Sequence, residues 1–557
     1  MFIYVSLNTE YLEDISRKYW YLHFLYHCKK NNDILISYEY MQKHLGEIIE
    51  TTFYPTYFLD WEIDPFTYDD VKDVEQYYIP DRIFTQSEIE NGSRTEMLFD
   101  YFTKRNYEFE KCLNDIISEI RKKHPAEKIE GMFNAFEGYR SQFEVCAENN
   151  IPFMPFSFSA IRQYHGYRQS LYRLSINEPL NCSDYAEKRY KKFLAENNES
   201  LPVYSNREII AMLGKERTLQ FIQLMNHEPQ YEIGICGEGC PLLPNFFEKA
   251  KYVDDDIFYE CNRLYSKNQI KVRSHNLLLD RLQIDRSTSR GDAASYILSC
   301  RRVTSVRSEI SLKPLLWKRT SVMKKNTLLF SYMCEKDYRS TDLVDLRALN
   351  HYLFAVLVPI ELLYSPDYWR WRLNENPSET DIYKFHLQHY VKKLNLHQEV
   401  LLEEDESVRF RRLLDDRGCD PELISILLED NQDYEVNYNV LASRFLIGGK
   451  YHWRINKVEG EELHTHLEID ANNATCIEFC PMDDLAGCTK LNRVIINGQE
   501  IDKMYIAGWS NDYRYMPKGH GYYVVALNNI DITKNLVVDF YWQYETVQDF
   551  LDQHNYK

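Results

Sequence analysis

Residues 265–278, YSKNQIKVRSHNLL, and residues 296–320, YILSCRRVTSVRSEISLKPLLWKRT, decide the fold of this chain. Each carries a short run rich in β-branched residues that ends in a polar knot. Ile270-Lys271-Val272 runs into Arg273-Ser274-His275-Asn276, and Val303 runs into Thr304-Ser305-Val306-Arg307-Ser308. In an α/β domain such knots fall at the carboxyl ends of parallel strands, where ligands bind. An Arg-x-His knot, followed about thirty residues later by a Ser-rich knot that opens an apolar helix, can hold a phosphate or pyrophosphate. Arg273 and His275 would supply charge-assisted donors, and Ser305, Ser308 and the helix amides short-range ones.

One strand earlier, Glu232-Ile233-Gly234-Ile235-Cys236 ends in Gly237-Glu238-Gly239. A glycine turn at a strand end lets backbone approach a ligand closely, so Gly237 and Gly239 join the candidate site. Arg301, Arg302, Arg307, Lys313, Lys318, Arg319, Lys324 and Lys325 crowd the same region, which marks the place for an anionic ligand. The amino-terminal part has the same rhythm. A strand is expected over Phe2–Leu7 and another over Asp33–Ser37. A long helix follows over Phe99–Lys123, a strand at Ile129–Asn134, a helix near Ser141–Asn149 and a strand at Ile151–Phe156. Asp184–Glu199 reads as a helical bridge, and Asp342–Asp430 as mostly helical. After Tyr434 short alternating runs take over, with Asn497-Gly498 as a hairpin signal, and predict an antiparallel β-sandwich.

The expected organisation is therefore α/β: two Rossmann-like lobes followed by a carboxyl-terminal β-sandwich. The divisions are an amino-terminal lobe over 1–180, a helical bridge over 181–225 and a second lobe over 226–345. A helical segment over 346–433 and the sandwich over 434–557 complete the chain. A length of 557 residues exceeds a single core, and an apolar fraction of 44% is enough to fill several. The net charge of -19 argues against a nucleic-acid partner. Thirteen scattered cysteines lack the spacing of a disulfide framework. The first residues carry charge too early for a signal peptide, and no run approaches the length of a membrane span. A cytoplasmic protein is expected, one that meets any lipid-linked partner from the inner face of the membrane.

The paired knots resemble the carboxyl-terminal half of bacterial GT-B glycosyltransferases that build capsules and lipopolysaccharides. There an R/K-x-H-P element precedes a strand ending in S-x-x-G-x-E-A-L-x-x-G-K-P, and the two hold the nucleotide-sugar donor. Ser308 falls on the family serine, and Leu315-Leu316-Trp317 on the apolar helix behind it. Asn276 stands where proline is usual, Ser311 and Lys318 where glycines are, and Lys313 where a ribose-binding glutamate is. Residues 133–162, FNAFEGYRSQFEVCAENNIPFMPFSFSAIR, are similar to the amino-terminal half of the same group, chiefly at Asn149-Asn150-Ile151-Pro152.

The resemblance implies transfer of a sugar from a nucleotide-sugar donor to a glycan or lipid-linked acceptor in surface-polysaccharide synthesis, without a metal cofactor. Partner proteins of the same assembly are implied too. Lys313 would contact donor phosphates or a sugar carboxylate; CMP-activated acids and UDP- or GDP-sugars all stay open as donors. Glu137 is the first candidate for the catalytic group across the cleft and His165 the second, with Arg162 on the acceptor side. A non-catalytic scaffold or glycan-binding protein is the rival, since the four departures also describe a decayed donor site. Trp453, Trp509 and Trp542 are candidates for stacking on sugars, with core roles as the alternative. Cys236-x3-Cys240, Cys476-x3-Cys480 with Cys488, and His464-x-His466 lack the paired spacing of a structural zinc site.

Overall fold

The computed structural model describes residues 1–7, 15–53, 63, 66–84, 100–135, 138–161, 171–180, 182–196, 201–237, 254–273, 293–393, 396–397, 403, 405–429, 434–436, 440–470, 474–482, 487–501, 504–505, 514–516, 523–527, 530 and 535–545. Four sheets are present among the described residues: a large parallel-dominated sheet, a smaller parallel sheet and two antiparallel sheets near the carboxyl end.

The first sheet is built on β1 (Phe2–Ser6), every residue of which is buried. β2 (Ile34–Tyr38) and β4 (Gly131–Ala135) flank it in parallel, Ile3 pairing with Ile34 on one side and Met132 on the other. With β3 (Gln76–Ile79), β5 (Phe153–Phe158) and β6 (Leu171–Leu174) the order runs β3-β2-β1-β4-β5-β6. The first five strands are parallel and β6 is antiparallel to β5. Parallel strands need crossovers that cover both faces, so continuous apolar runs such as FIYVS suit them. The crossover helix Tyr107–Lys123 shows how its sequence encodes it. Asn106 accepts from the Phe109 amide at 2.9 Å, Glu108 and Glu110 lie in its first turn, and Arg121 to Lys123 close the last. Phe109, Leu113, Ile116, Ile117 and Ile120 form its buried stripe.

The second sheet comprises β7 (Tyr231–Cys236), β8 (Ile270–Arg273), β9 (Cys300–Thr304) and β10 (Thr320–Val322). All are parallel, in the order β8-β7-β9-β10. Cys236 and Val303 belong to one core and Ile233, Ile235 and Val322 to another, so both faces are covered. Gly234 sits in mid-strand because a Cβ there would lie 2.8 Å from Cys300 Sγ and 2.9 Å from the Tyr296 hydroxyl. That close approach lets Tyr296 donate towards the carbonyls of Ile235 and Lys271, at 3.0 and 2.9 Å.

The chain then returns to the first sheet. β11 (Val358–Pro359) pairs with β6, and Ile360, Leu363, Tyr364 and Trp369 enter the first core. The region expected as helical over 346–433 therefore also supplies the last strand of the amino-terminal sheet. The Asn31 side-chain amide donates to the Tyr364 carbonyl at 3.1 Å, across 333 residues of sequence. Deeper in this region Arg189 makes a bidentate pair with Glu379 at 2.9 and 2.8 Å, and His351 Nε2 lies 3.2 Å from the same carboxylate.

Beyond residue 440 lie β12 (Val440–Ile447), β13 (Lys450–Lys457), β14 (Leu463–Ile469), β15 (Cys476–Cys480), β16 (Gly487–Ile496), β17 (Gln499–Glu500), β18 (Met504–Tyr505), β19 (Arg514–Met516), β20 (Tyr523–Ala526) and β21 (Leu536–Glu545). They form two antiparallel sheets, β13-β12-β15-β20-β18 and β14-β21-β16-β17, with β19 on β16. Asn497 and Gly498, both at positive φ, make the β16–β17 turn. One core serves both sheets: Phe479 of β15 stacks on Phe540 of β21 with ring centroids 4.2 Å apart. The helix Glu406–Arg417 ends at Gly418, whose φ of 76° and carbonyl bond to the Trp453 amide at 2.8 Å seat the helical region on edge strand β13. A Cβ on Gly418 would fall 2.0 Å from the Tyr451 carbonyl oxygen, so no other residue fits.

Several histidines are buried in neutral form. Burial holds His27 and His386 well below the ordinary histidine value, lowers His351, and brings His389 down to about 4. A depressed folded value means the unfolded chain takes up protons first, so stability is intact above about pH 6.5 and falls as the pH drops. A histidine like His389 alone should remove about 2 kcal/mol between pH 7.5 and pH 5. We therefore expect a lower guanidinium midpoint at pH 5.0 than at pH 7.5, partly recovered in His389→Phe; an unchanged or higher midpoint at pH 5.0 would contradict the assignment.

Candidate functional site

Both parallel sheets have a point where strand order reverses, and there the crossovers leave in opposite directions and open a crevice at the carboxyl edge. In the first sheet it lies between β1 and β4. In the second it lies between β7 and β9, where Ile235 pairs with Thr304. Gly237 and Ser305 thus continue two neighbouring strands into the same crevice, with Arg273 at the end of β8 beside Cys236.

The second crevice is largely organised by its own hydrogen bonds. The Gly237 amide donates to the Arg273 carbonyl at 2.9 Å, so this N–H extends the sheet and is not directed at a ligand. Arg273 places its guanidinium 5.6 Å from the centroid of Tyr296, whose phenol burial pushes far above its ordinary value. Ser305 is buried, accepts from the Ser308 amide at 3.0 Å and lies 2.7 Å from the Ser311 hydroxyl. Ser308 caps the short helical turn Glu309–Leu312 by position, without a side-chain cap bond. Lys313, half-buried, begins the next turn of helix, with Pro314 behind it. Gly237, Arg273, Ser305 and Ser308 are thus gathered at one sheet edge, but the Ser305 hydroxyl is committed to the turn itself. Ser311 completes that commitment. His275, Gly239, Glu137, His165 and Arg162 lie outside the described residues, as do Cys240 and Trp509.

The first crevice is closed by Tyr139, whose hydroxyl donates to the Leu7 carbonyl at 2.6 Å. Its amide donates to Gln142, and Gln142 in turn donates to the buried Asn134 at 2.9 Å. This capping tyrosine and the helix Arg140–Glu148 that it starts frame the β4 end of the crevice.

The two carboxyl edges meet. Arg173 of β6, paired with Ser157 near the carboxyl end of β5, lies 3.0 Å from Glu309, the residue immediately after the serine knot of the second sheet. Arg173 also donates to the Phe158 carbonyl at 3.0 Å. Burial first, and then the charge of Glu309, push the Tyr352 phenol far above its ordinary value. The hydroxyls of Thr304, Tyr332 and Tyr352 are buried with no hydrogen-bond partner among the described residues. Arg173 and Glu309 escaped sequence reasoning, although a lone arginine inside the apolar run Leu171-Tyr172-Arg173-Leu174 is a signal, because a buried strand admits a charge only against a partner.

Elsewhere, Trp453 and Trp542 are fully buried, the latter donating to Thr465 at 2.9 Å, so neither presents a ring for sugar stacking. Cys236, Cys476, Cys480 and Cys488 are free thiols. His464 and His466 each lie 2.8 Å from one oxygen of Asp539 on the neighbouring strand. Among the described residues no group of three or more His, Cys, Asp or Glu side chains is disposed to hold a metal ion.

If Arg173 and Glu309 hold the two edges together as a pair, removing either alone should cost more than removing both. In a double-mutant cycle of Arg173→Met and Glu309→Gln, with stability read by denaturant unfolding, we expect a coupling of about 1–3 kcal/mol. Additive single effects would show that the contact does not join the edges energetically.

No family model matches the chain, and no curated protein does. Among solved structures it is similar to KpsC of Thermosulfurimonas dismutans, described as a β-Kdo 2,7 transferase. That overlap has 10% identity and a TM-score of 0.29, over 45% of this chain and 87% of the other. A second KpsC structure from the same organism, described as a β-Kdo 2,4 transferase, overlaps with 10% identity and a TM-score of 0.26, over 40% and 78% of the respective chains. The strand orders of the two parallel sheets, rather than these overlaps, carry the architecture.

Proposed function

We propose that the chain is a glycosyltransferase of GT-B architecture, with two Rossmann-like lobes and an appended β-sandwich. It would transfer a sugar from a nucleotide-sugar to a glycan or lipid-linked acceptor in bacterial surface-polysaccharide synthesis. The observation that carries this reading is the meeting of the carboxyl edges of the two sheets at Arg173 and Glu309, with a switch point in each sheet. Two doubly wound sheets with their carboxyl edges apposed make a cleft that can hold a nucleotide on one wall and an acceptor on the other. The return of Val358–Trp369 to the first core fits a hinged pair of lobes, because it ties the end of the second to the body of the first.

In this reading the donor phosphates lie at the end of β8 and the serine knot. Arg273 supplies a charge-assisted donor there, with His275 beside it in sequence. Thr304, whose buried hydroxyl lacks a partner among the described residues, is a further donor at the same edge. Glu137, His165 and Arg162 are retained for the acceptor side. No helix among the described residues is long and apolar enough to cross a membrane. A lipid-linked acceptor would then be reached from the inner surface of the membrane, with other assembly proteins at hand.

A second reading has one specific observation behind it. With the Ser305 hydroxyl satisfied by Ser308 and Ser311, the knot is complete without a ligand, as a non-catalytic scaffold would have it. Thermal unfolding against UDP, GDP, CDP, CMP, dTDP and their sugar conjugates separates the two. We expect one nucleotide to raise the melting temperature by mass action and Arg273→Ala to abolish the rise. No shift with any of them at millimolar concentration would leave the scaffold reading standing.

A further inference from the structure

A cavity of about 590 Å³ lies away from the sheet edges, between the helices Glu406–Arg417 and Pro421–Leu428 and the strands β13 and β14. Its size and its place between two structural units are those of a small-molecule site. Ile424, Leu428 and Ile469 give it apolar lining, and the rest is polar.

The charges on its wall are arranged unevenly. Arg454 and His452 project from the same face of β13, two residues apart and both half-buried. No carboxylate among the described residues comes within ion-pairing distance of Arg454, whose one hydrogen bond is to the Trp453 carbonyl at 2.5 Å. The nearby acids are committed elsewhere. Asp420 accepts from the amides of Glu422, Leu423 and Ile455, and Glu216 pairs with Arg417 at 3.3 Å. Burial lowers the Arg454 guanidinium from its ordinary value and holds His452 down at about 4, so His452 is neutral near pH 7. Opposite, Arg411 lies 3.6 Å from Asp415, and Glu429 and Glu468 stand exposed on the wall.

Such a wall selects by charge. A phosphate dianion would meet Asp415, Glu429 and Glu468, and a cation would meet Arg411 and Arg454. A neutral sugar would leave the Arg454 guanidinium with only the more distant charges of Asp420 and Glu216, both committed elsewhere. A single carboxylate on a hydroxyl-rich body satisfies every group: the carboxylate accepts from Arg454, and the hydroxyls donate to the three acids and pair with neutral His452.

We propose that this cavity binds a carboxylate-bearing sugar residue, and so holds an acidic glycan on the helical and β-sheet part of the chain. The inference rests on the glycosyltransferase reading for its choice of a sugar, and it names the acceptor as an acidic polysaccharide. The whole protein would be titrated calorimetrically with glucuronate, galacturonate and tetragalacturonate. Maltotetraose, inorganic phosphate and the dipeptide Gly-Gly serve as controls. Saturable binding of a uronate is expected, weakened about tenfold or more in Arg454→Gln. Arg411→Gln, on an exposed helix position that leaves the fold intact, should weaken it as well. Absence of saturation by every uronate overturns the proposal, and so does equal binding of the controls or unaltered binding by both variants. The nucleotide experiment at Arg273 reads a different site. Nucleotide binding without uronate binding rejects the cavity proposal alone, and uronate binding without nucleotide binding rejects the transferase reading alone.

Discussion

A parallel strand cannot be left with a face in water, and most of this molecule is a consequence of covering two sets of them. β1 has no exposed residue, and its neighbours on both sides run in its own direction, so every connection must cross over the sheet. Those crossovers place helices on both faces and bring the strand ends to one edge. The same constraint acts on β7 between β8 and β9. Polar and charged side chains then gather at the carboxyl edges because the interior of each sheet has no place for them.

Apposition of the two edges creates a shared, buried polar nest. Arg173, Glu309, Tyr332 and Tyr352 come from the first sheet and from the segments behind the second, and both of their hydroxyls find no protein partner among the described residues. Buried polar groups of this kind cost stability unless something satisfies them. The Arg189–Glu379–His351 group is more closely bonded, with a bidentate ion pair at its centre and Glu196 accepting from the Glu379 and Thr380 amides, while His351 Nδ1 finds no partner among the described residues. The second group holds its charges in a bidentate pair, whereas the first leaves its phenols without a partner among the described residues.

Local pattern makes much of this legible. The runs FIYVS and YEIGIC are strands because a continuous apolar stretch bounded by turns suits a sheet covered on both faces, and Asn497-Gly498 turns because both residues accept positive φ. Of the candidate site, Arg273, Gly237 and Ser308 are legible from their position at strand ends. Three features lie beyond local reading. The commitment of Ser305 to Ser311 depends on how tightly the knot closes. The pairing of β11 with β6 is decided by two residues, Val358 and Pro359, that carry no strand signal of their own. The Arg173–Glu309 contact joins segments whose proximity exists only once both sheets are built. The catalytic candidates Glu137 and His165 rest on the sequence alone.

The return of Val358–Pro359 to β6 bears on how the chain is made. During synthesis the first sheet emerges early but lacks its edge strand, and its core lacks Tyr364 and Trp369, until the whole second sheet has been made. The nascent amino-terminal half must wait with an open, adhesive strand edge, a hazard for any slowly translated protein. Its maturation is therefore not vectorial: the beginning of the molecule is finished by its middle, and truncation before residue 358 would release a piece that was never complete.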